Sequence, residues 1–191
     1  GWEKGRLDLN GELSEKLVVL KEGYIRLGES QFRLHGRFDT KTPQRPEKVE
    51  ANLTGVLGLA QASHWGGLGR PPLTGNLDLT ASVRGALANP QWTVSAEGAG
   101  LRPSEGALAP GSLDLRGSGN LEGFQLSHLW WHSSQGDLSL EGGWSRKTPA
   151  KGTLSGRAMD LGALGKFLRL PEFNGVRGTL KAQVEGPRDP A

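Results

Sequence analysis

A chain of 191 residues and 20.4 kDa, with 35% hydrophobic residues, 30 glycines and no cysteine, excludes a disulfide framework and a thiolate zinc site. The glycines keep no three-residue period, which excludes collagen. Its net charge of +3 and pI of about 9.4 come from scattered lysines and arginines, whereas a nucleic-acid surface needs them gathered on one face, so no nucleic-acid partner is expected. No run of about 20 apolar residues marks a membrane span and no charged-then-apolar start marks a signal peptide.

In chain order, the sequence starts at Gly1-Trp2 rather than Met and ends at Asp189-Pro190-Ala191, which reads as an internal piece of a longer protein. Period-two alternation follows in Leu7-Asp8-Leu9, Phe32 to Phe38, Leu77 to Val83, Leu113-Asp114-Leu115 and Leu138-Ser139-Leu140, and predicts half-buried antiparallel strands. Asn10-Gly11, Gly75-Asn76 and Gly119-Asn120 punctuate a meander of about a dozen such strands. Lys41, Arg45 and Lys48 around Pro43 and Pro46 read as a solvated loop. Two stretches break the β rhythm. Thr54 to Gln61, with Thr54 as cap and Val56, Leu57 and Ala60 as stripe, predicts a short helix. So does Asp160, capping Leu161, Leu164, Phe167 and Leu168 before Pro171.

The two halves match at a period of about 105 residues. Val18, Leu20, Ile25, Phe32, Leu34, Gly36 and Phe38 fall on Phe124, Leu126, Trp131, Leu138, Leu140, Gly142 and Trp144. Leu73-Thr74-Gly75-Asn76-Leu77 is matched by Val176-Arg177-Gly178-Thr179-Leu180. The expected organisation is a first β unit over 1–103 and a second over 104–191, continuous with the first, as an elongated array.

Catalytic chemistry is not expected. Asp8, Asp78 and Asp114 have outward parity, which keeps them from converging in a pocket and suits them to blunting sheet aggregation. His128 and His132, four residues apart on a strand, lie about 13 Å from each other and cannot share a metal. Gly162 to Phe167 lacks the spacing of a phosphate loop, and Gly66 to Pro72 precedes a strand rather than a helix. No metal site or cofactor is called for. Trp130 and Trp131, as strand neighbours, point to opposite faces.

Gly75-Asn76-Leu77-Asp78-Leu79-Thr80-Ala81-Ser82-Val83-Arg84-Gly85, followed by Asn89-Pro90-Gln91-Trp92, resembles the recurring signature of the AsmA-like/TamB family. A glycine opens a strand, a second closes it, and Asn-Pro or Asp-Pro begins the next. Gly178 to Gly186, ahead of Asp189-Pro190, repeats the pattern with a shorter strand. The likeness covers most of the chain at the level of pattern, and the pair Trp130-Trp131 departs from the family's commonest version. It implies an all-β fold, an elongated antiparallel sheet curled lengthwise into an open apolar groove (a β-taco) with one or two short helices. It further implies a periplasmic location in an inner-membrane-anchored protein of a diderm bacterium. The partners it implies are phospholipid acyl chains and, through other parts of the parent protein, an Omp85-type outer-membrane barrel.

By alternation alone, an open groove and a closed β-sandwich satisfy the pattern equally. Under the resemblance, the expected lipid-binding lining is Ile25, Phe32, Leu34, Phe38, Leu77, Leu79, Val83, Trp92, Val94, Trp131, Leu138, Leu140 and Trp144. The task is sizeable, because a sixteen-carbon tail entering water loses on the order of 12 kcal/mol. The expected function is a segment of a periplasm-spanning bridge that shields acyl chains. The competing readings are a scaffold for outer-membrane proteins during their translocation and assembly, and a surface adhesin or sugar-binding β repeat protein.

Overall fold

The computed structural model describes residues 5–42, 45–60, 73–103, 109–160 and 177–185. Its strands are β1 (Gly5–Leu13), β2 (Leu17–Leu27), β3 (Ser30–Thr42), β4 (Arg45–Gly58), β5 (Leu73–Thr74), β6 (Asn76–Ala86), β7 (Gln91–Pro103), β8 (Gly111–Asn120), β9 (Gly123–Ser133), β10 (Gly136–Ser145), β11 (Thr148–Asp160) and β12 (Arg177–Glu185). All belong to one 12-stranded antiparallel sheet in which neighbours in sequence are neighbours in space, except that the two-residue β5 pairs with β7 and leaves β4 beside β6. Among the described residues β1 and β12 pair on one side only, so the sheet is not closed into a barrel. The ladder runs without interruption from β7 to β8, across the boundary at residues 103 and 104.

The alternation that predicts strands is the alternation of exposure. From Gln31 to Phe38 every odd residue is exposed and every even one is buried or half-buried, as a pleated backbone requires. Two expectations fail locally. Thr54 to Gly58, expected to start a helix, completes β4 instead. Its backbone is held by β3 on one side and β6 on the other, and Gly55 and Gly58 are poor helix formers. Val56 and Leu57 consequently point to opposite faces rather than sharing a stripe. Lys41, Arg45 and Lys48 lie not in a loop but on the arms of a hairpin joined by residues 43–44. Asp160, the expected cap of the second helix, is the last residue of β11, where its N–H donates to Gln135 O at 3.0 Å. Leu59 and Ala60, directly after β4, are helical as expected, whereas Gln61, residues 161–168 and the glycine-rich 66–72 lie outside the described residues.

The repeat is written into the hydrogen-bond register. Val18↔Phe38, Leu20↔Gly36 and Ile25↔Phe32 in β2 and β3 recur as Phe124↔Trp144, Leu126↔Gly142 and Trp131↔Leu138 in β9 and β10. Even the irregularities recur. Lys21 is an extra residue between the pairs Asn10↔Glu22 and Gly11↔Leu20, and Ser127 is the same extra residue between Arg116↔His128 and Gly117↔Leu126. β-bulges of this kind bend a strand and fix its register. The ladder also corrects one equivalence: Leu180 pairs with Gly156 as Leu79 pairs with Gly55. The matching segments are therefore Leu79-Thr80-Ala81-Ser82-Val83 and Leu180-Lys181-Ala182-Gln183-Val184, and Leu180 stands in for Leu79 rather than Leu77.

Most of the buried core gathers at one end of the strands, with Val49 and Ala51 of β4 buried toward the other. Leu77, Ala96, Leu101 and Trp131 form a cluster against which Leu57, Leu59, Leu73, Leu79, Leu113, Leu115 and Leu138 pack. Leu101 and Met159, both fully buried, reach the interior by the same device. Two residues, Ala99 and Gly100, stand opposite Ser112, and two, Arg157 and Ala158, stand opposite Thr179. The second of each pair is left-handed, Gly100 at φ 65° and Ala158 at φ 53°. The extra residue shifts the parity of the strand, so the next side chain turns inward.

Candidate functional site

Following the register across the sheet assembles one continuous apolar face. Leu7, Ile25, Phe32, Gly55, Leu79, Ala96, Leu115, Leu129, Leu140, Leu154 and Ala182 oppose one another pair by pair from β1 to β12. A second row beside it reads Leu9, Gly23, Leu34, Leu53, Ala81, Val94, Gly117, Leu126, Gly142, Gly152 and Val184. A third reads Gly11, Leu20, Gly36, Ala51, Val83, Trp92, Gly119, Phe124 and Trp144. No charged or hydrogen-bonding side chain other than the tryptophan indoles interrupts any of the three. At about 4.8 Å per strand spacing, the first two rows are each about 48 Å long.

The face is not uniform along the strands. The connections at residues 28–29, 59–72, 104–110, 134–135 and 161–176 leave from one end, and those at 14–16, 43–44, 87–90, 121–122 and 146–147 from the other. At the end with the long connections the apolar face is sealed, with Leu77 at 6% and Trp131 at 5% exposure. Ser30, also fully buried there, accepts a hydrogen bond at Oγ from the buried Gly58 N–H at 3.0 Å. Toward the tight-turn end Leu20, Leu34, Leu53, Val83, Trp92, Val94 and Leu126 stay half-buried and Trp144 is 39% exposed. A recess of about 900 Å³ opens in this region, with Phe124, Gly142, Trp144 and Gly152 in its lining alongside polar Gln125, Lys151 and Glu185.

Glycine and aromatic residues shape the relief of this open part. A Cβ placed on Gly119 would come within 2.6 Å of the Trp92 ring, and one on Gly117 within 2.8 Å of the Phe124 ring. The rings therefore lie down on bare backbone instead of standing upright, as aromatic residues do over strand glycines. Trp92 and Phe124 then meet across β8, stacked with centroids 5.4 Å apart and planes 13° from parallel. The outcome is a low, smooth apolar surface rather than a row of separate pockets.

The opposite face is a field of charge in which pairs are local and exposed. Arg6 Nε donates to Asp8 Oδ2 at 2.6 Å, Arg37 Nε to Asp39 Oδ1 at 2.8 Å, and Lys151 Nζ lies 3.2 Å from Glu185 Oε1. Asp78, Glu97 and Asp114 are consecutive across β6, β7 and β8, with Arg116 reaching Glu97 at 3.7 Å and Asp114 at 3.4 Å. His128 lies 3.9 Å from Asp114 and His132 pairs with Asp137. Among the described residues no three His, Asp or Glu side chains come together as metal ligands, and no helix is long and apolar enough to cross a membrane.

All thirteen residues expected to line the groove lie on the apolar face. Ile25, Phe32, Leu79 and Leu140 belong to the first row, Leu34 and Val94 to the second, and Val83, Trp92 and Trp144 to the third. Phe38 continues the face at the tight-turn end, where it pairs with Val49. Leu77, Trp131 and Leu138 form its sealed margin. Trp130 turns to the charged face, 40% exposed and 5.5 Å from the His132 ring. Sequence reasoning missed Val49, Ala51 and Leu53 of β4, Leu7, Leu9 and Leu13 of β1, and the bulge-delivered Leu101 and Met159. Comparison with family models, with curated proteins and with solved structures finds no match to this chain.

Proposed function

We propose that the chain is a segment of a lipid-handling bridge, whose sheet curls lengthwise around the apolar face and shields phospholipid acyl chains passing between two membranes. The observation that carries this reading is the pair of unbroken apolar rows, about 48 Å long, lying next to surface that stays half exposed. Each methylene kept from water is worth about 0.8 kcal/mol, so a single charged residue in the track would be a barrier of several kcal/mol to a sliding tail. The first two rows and the third contain none. The reading also draws on the AsmA-like signature at Gly75 to Pro90, and places the parent protein in the periplasm, anchored in the inner membrane. The chain acts as a passive conduit in this role, with no catalysis, cofactor or metal.

Photocrosslinking from Leu34 and Leu140 in the full-length protein in cells tests it. Phospholipid adducts at both positions are the expected result, and their absence from both sinks the proposal. The second reading, a scaffold for unfolded outer-membrane polypeptides, is favoured by the edges of β1 and β12, which pair on one side only among the described residues, and predicts polypeptide adducts without lipid.

A further inference from the structure

The rim formed by the tight turns has apolar residues where turn chemistry calls for polar ones. Outside β1, the large hydrophobic residues exposed among the described residues are Leu87, Leu121, Trp130 and Trp144. All but Trp130 stand at this rim. Leu87 opens the turn at 87–90, Leu121 is half of the two-residue turn at 121–122, and Trp144 lies just inside the pair Ser145↔Thr148 that closes the turn at 146–147. Tight turns favour Gly, Asn, Asp, Ser and Pro, and the short turns at the opposite end, Gly28-Glu29 and Ser134-Gln135, have no apolar side chain. Successive tips are two strands apart, so the three stand about 10 Å from one another along a line of about 19 Å. Hydrogen bonds brace them. Leu87 N–H donates to Glu47 O at 2.9 Å, Leu121 N–H to Asn89 Oδ1 in the preceding tip at 3.2 Å, and Arg146 N–H to Glu122 O in the tip before it at 2.8 Å.

We infer that this rim docks on a lipid bilayer, with Leu87, Leu121 and Trp144 entering the boundary between headgroups and acyl chains and the cations of the turns meeting lipid phosphates. The composition is that of an interfacial anchor. Trp144 is followed at its tip by exposed Arg146 and Lys147, and tryptophan with flanking cations settles at headgroup depth. Across the five tight turns Lys16, Arg146 and Lys147 outnumber Glu15 and Glu122, so anionic headgroups add to the attraction. A protein partner fits this rim less well. Specific protein interfaces bury a contiguous patch of about 800 Å² on each partner, whereas these side chains are spaced singly along a line, and a fluid bilayer closes around separated side chains. The half-open part of the apolar face lies at the same end of the strands, so docking here sets it against the bilayer. The docking itself rests on the tips alone and stands whether or not that face carries lipid.

The chain has no cysteine, so a single introduced one takes a label at a unique place. The probes are the full chain with Leu121→Cys or Ser134→Cys, each carrying nitrobenzoxadiazole, mixed with vesicles of equal parts phosphatidylcholine and phosphatidylglycerol. The label at 121 should shift its emission to the blue and be quenched by lipids brominated on their acyl chains, while the label at 134, in a turn of the opposite end, does neither. Leu87→Ser should lower vesicle affinity at least about threefold. Joint Arg146→Gln and Lys147→Gln should lower it at least about tenfold on these vesicles and less on phosphatidylcholine alone. All three side chains are exposed, so both variants should keep the circular dichroism of the parent chain. Absent vesicle binding, an equal response of the two labels, or an affinity that either variant leaves untouched overturns the inference. So does a shift at 121 that appears on raising the protein concentration without vesicles, which would make the rim an interface between copies of the chain.

Discussion

The two ends of the apolar face use the same residue types for different ends. Beside the long connections, Leu77, Leu101, Trp131 and Met159 are packed out of reach of water, and their burial holds the sheet together. Beside the tight turns, most of the leucine, valine and tryptophan in the equally regular rows keep part of their surface open, with Val49 and Ala51 of β4 the buried exceptions. Hydrophobic identity therefore does not distinguish sealed from half-open positions in this molecule. What distinguishes them is whether another part of the chain covers them, which depends on where along the strand a residue sits.

Substitutions break that comparison in order of size. An unpaired charge costs several kcal/mol when it is buried and little when it can reach water. Leu77→Asp is expected to unfold the protein at 25 °C, a loss above about 4 kcal/mol. Leu140→Asp should leave circular dichroism and thermal transition nearly intact while abolishing lipid capture; unfolding of both variants would mean the face is sealed throughout. Truncation gives the next contrast. Leu101→Ala should lose about 2–5 kcal/mol in denaturant titrations, and Leu34→Ala under about 2 kcal/mol. Ser30→Ala strips the buried Gly58 N–H of its acceptor and should cost about 1–3 kcal/mol. The smallest effects compare the two parity-shifting bulges. Gly100→Ala, where an added Cβ meets nothing within 4 Å, should cost about 1 kcal/mol through its left-handed backbone alone. Ala158→Gly should gain about 0.5 kcal/mol by relieving the same conformation. Equal responses at the two sites would separate the bulges in mechanism.

Much of this was legible in the sequence. Alternation identified the strands from Phe32 to Phe38 and from Leu77 to Val83, and it put Trp130 and Trp131 on opposite faces, because side-chain parity in a strand is a property of the backbone. The repeat map found pairs that turn out to be hydrogen-bonded neighbours, such as Leu20 with Gly36 and Leu126 with Gly142. The end of β4 was misread because Thr54, Val56 and Leu57 fit a helical spacing with Ala60, which is itself helical, and only pairing on both sides keeps the residues up to Gly58 in the sheet. Leu101 and Met159 were invisible for the opposite reason. A bulge inverts parity after one residue, and the only local sign is a left-handed position, marked by a glycine at 100 but occupied by alanine at 158. The split between sealed and half-open ends was also hidden, since local pattern does not report which connections leave from which end.

The register carries one more implication. Sequence-equivalent residues of the two units do not share a row. Gly36 lies in the third row and its counterpart Gly142 in the second, and Leu34 and Leu140 differ in the same way. Each unit thus slips by two residues, about 7 Å, while advancing six strands, about 29 Å, so that the direction of repetition is inclined by about 13° to the rows. A long molecule that kept to a single row would run off the strand ends after a few units. One that met the same chemistry in every unit would have to travel on the slant, and the sheet is in that sense a ramp rather than a straight channel.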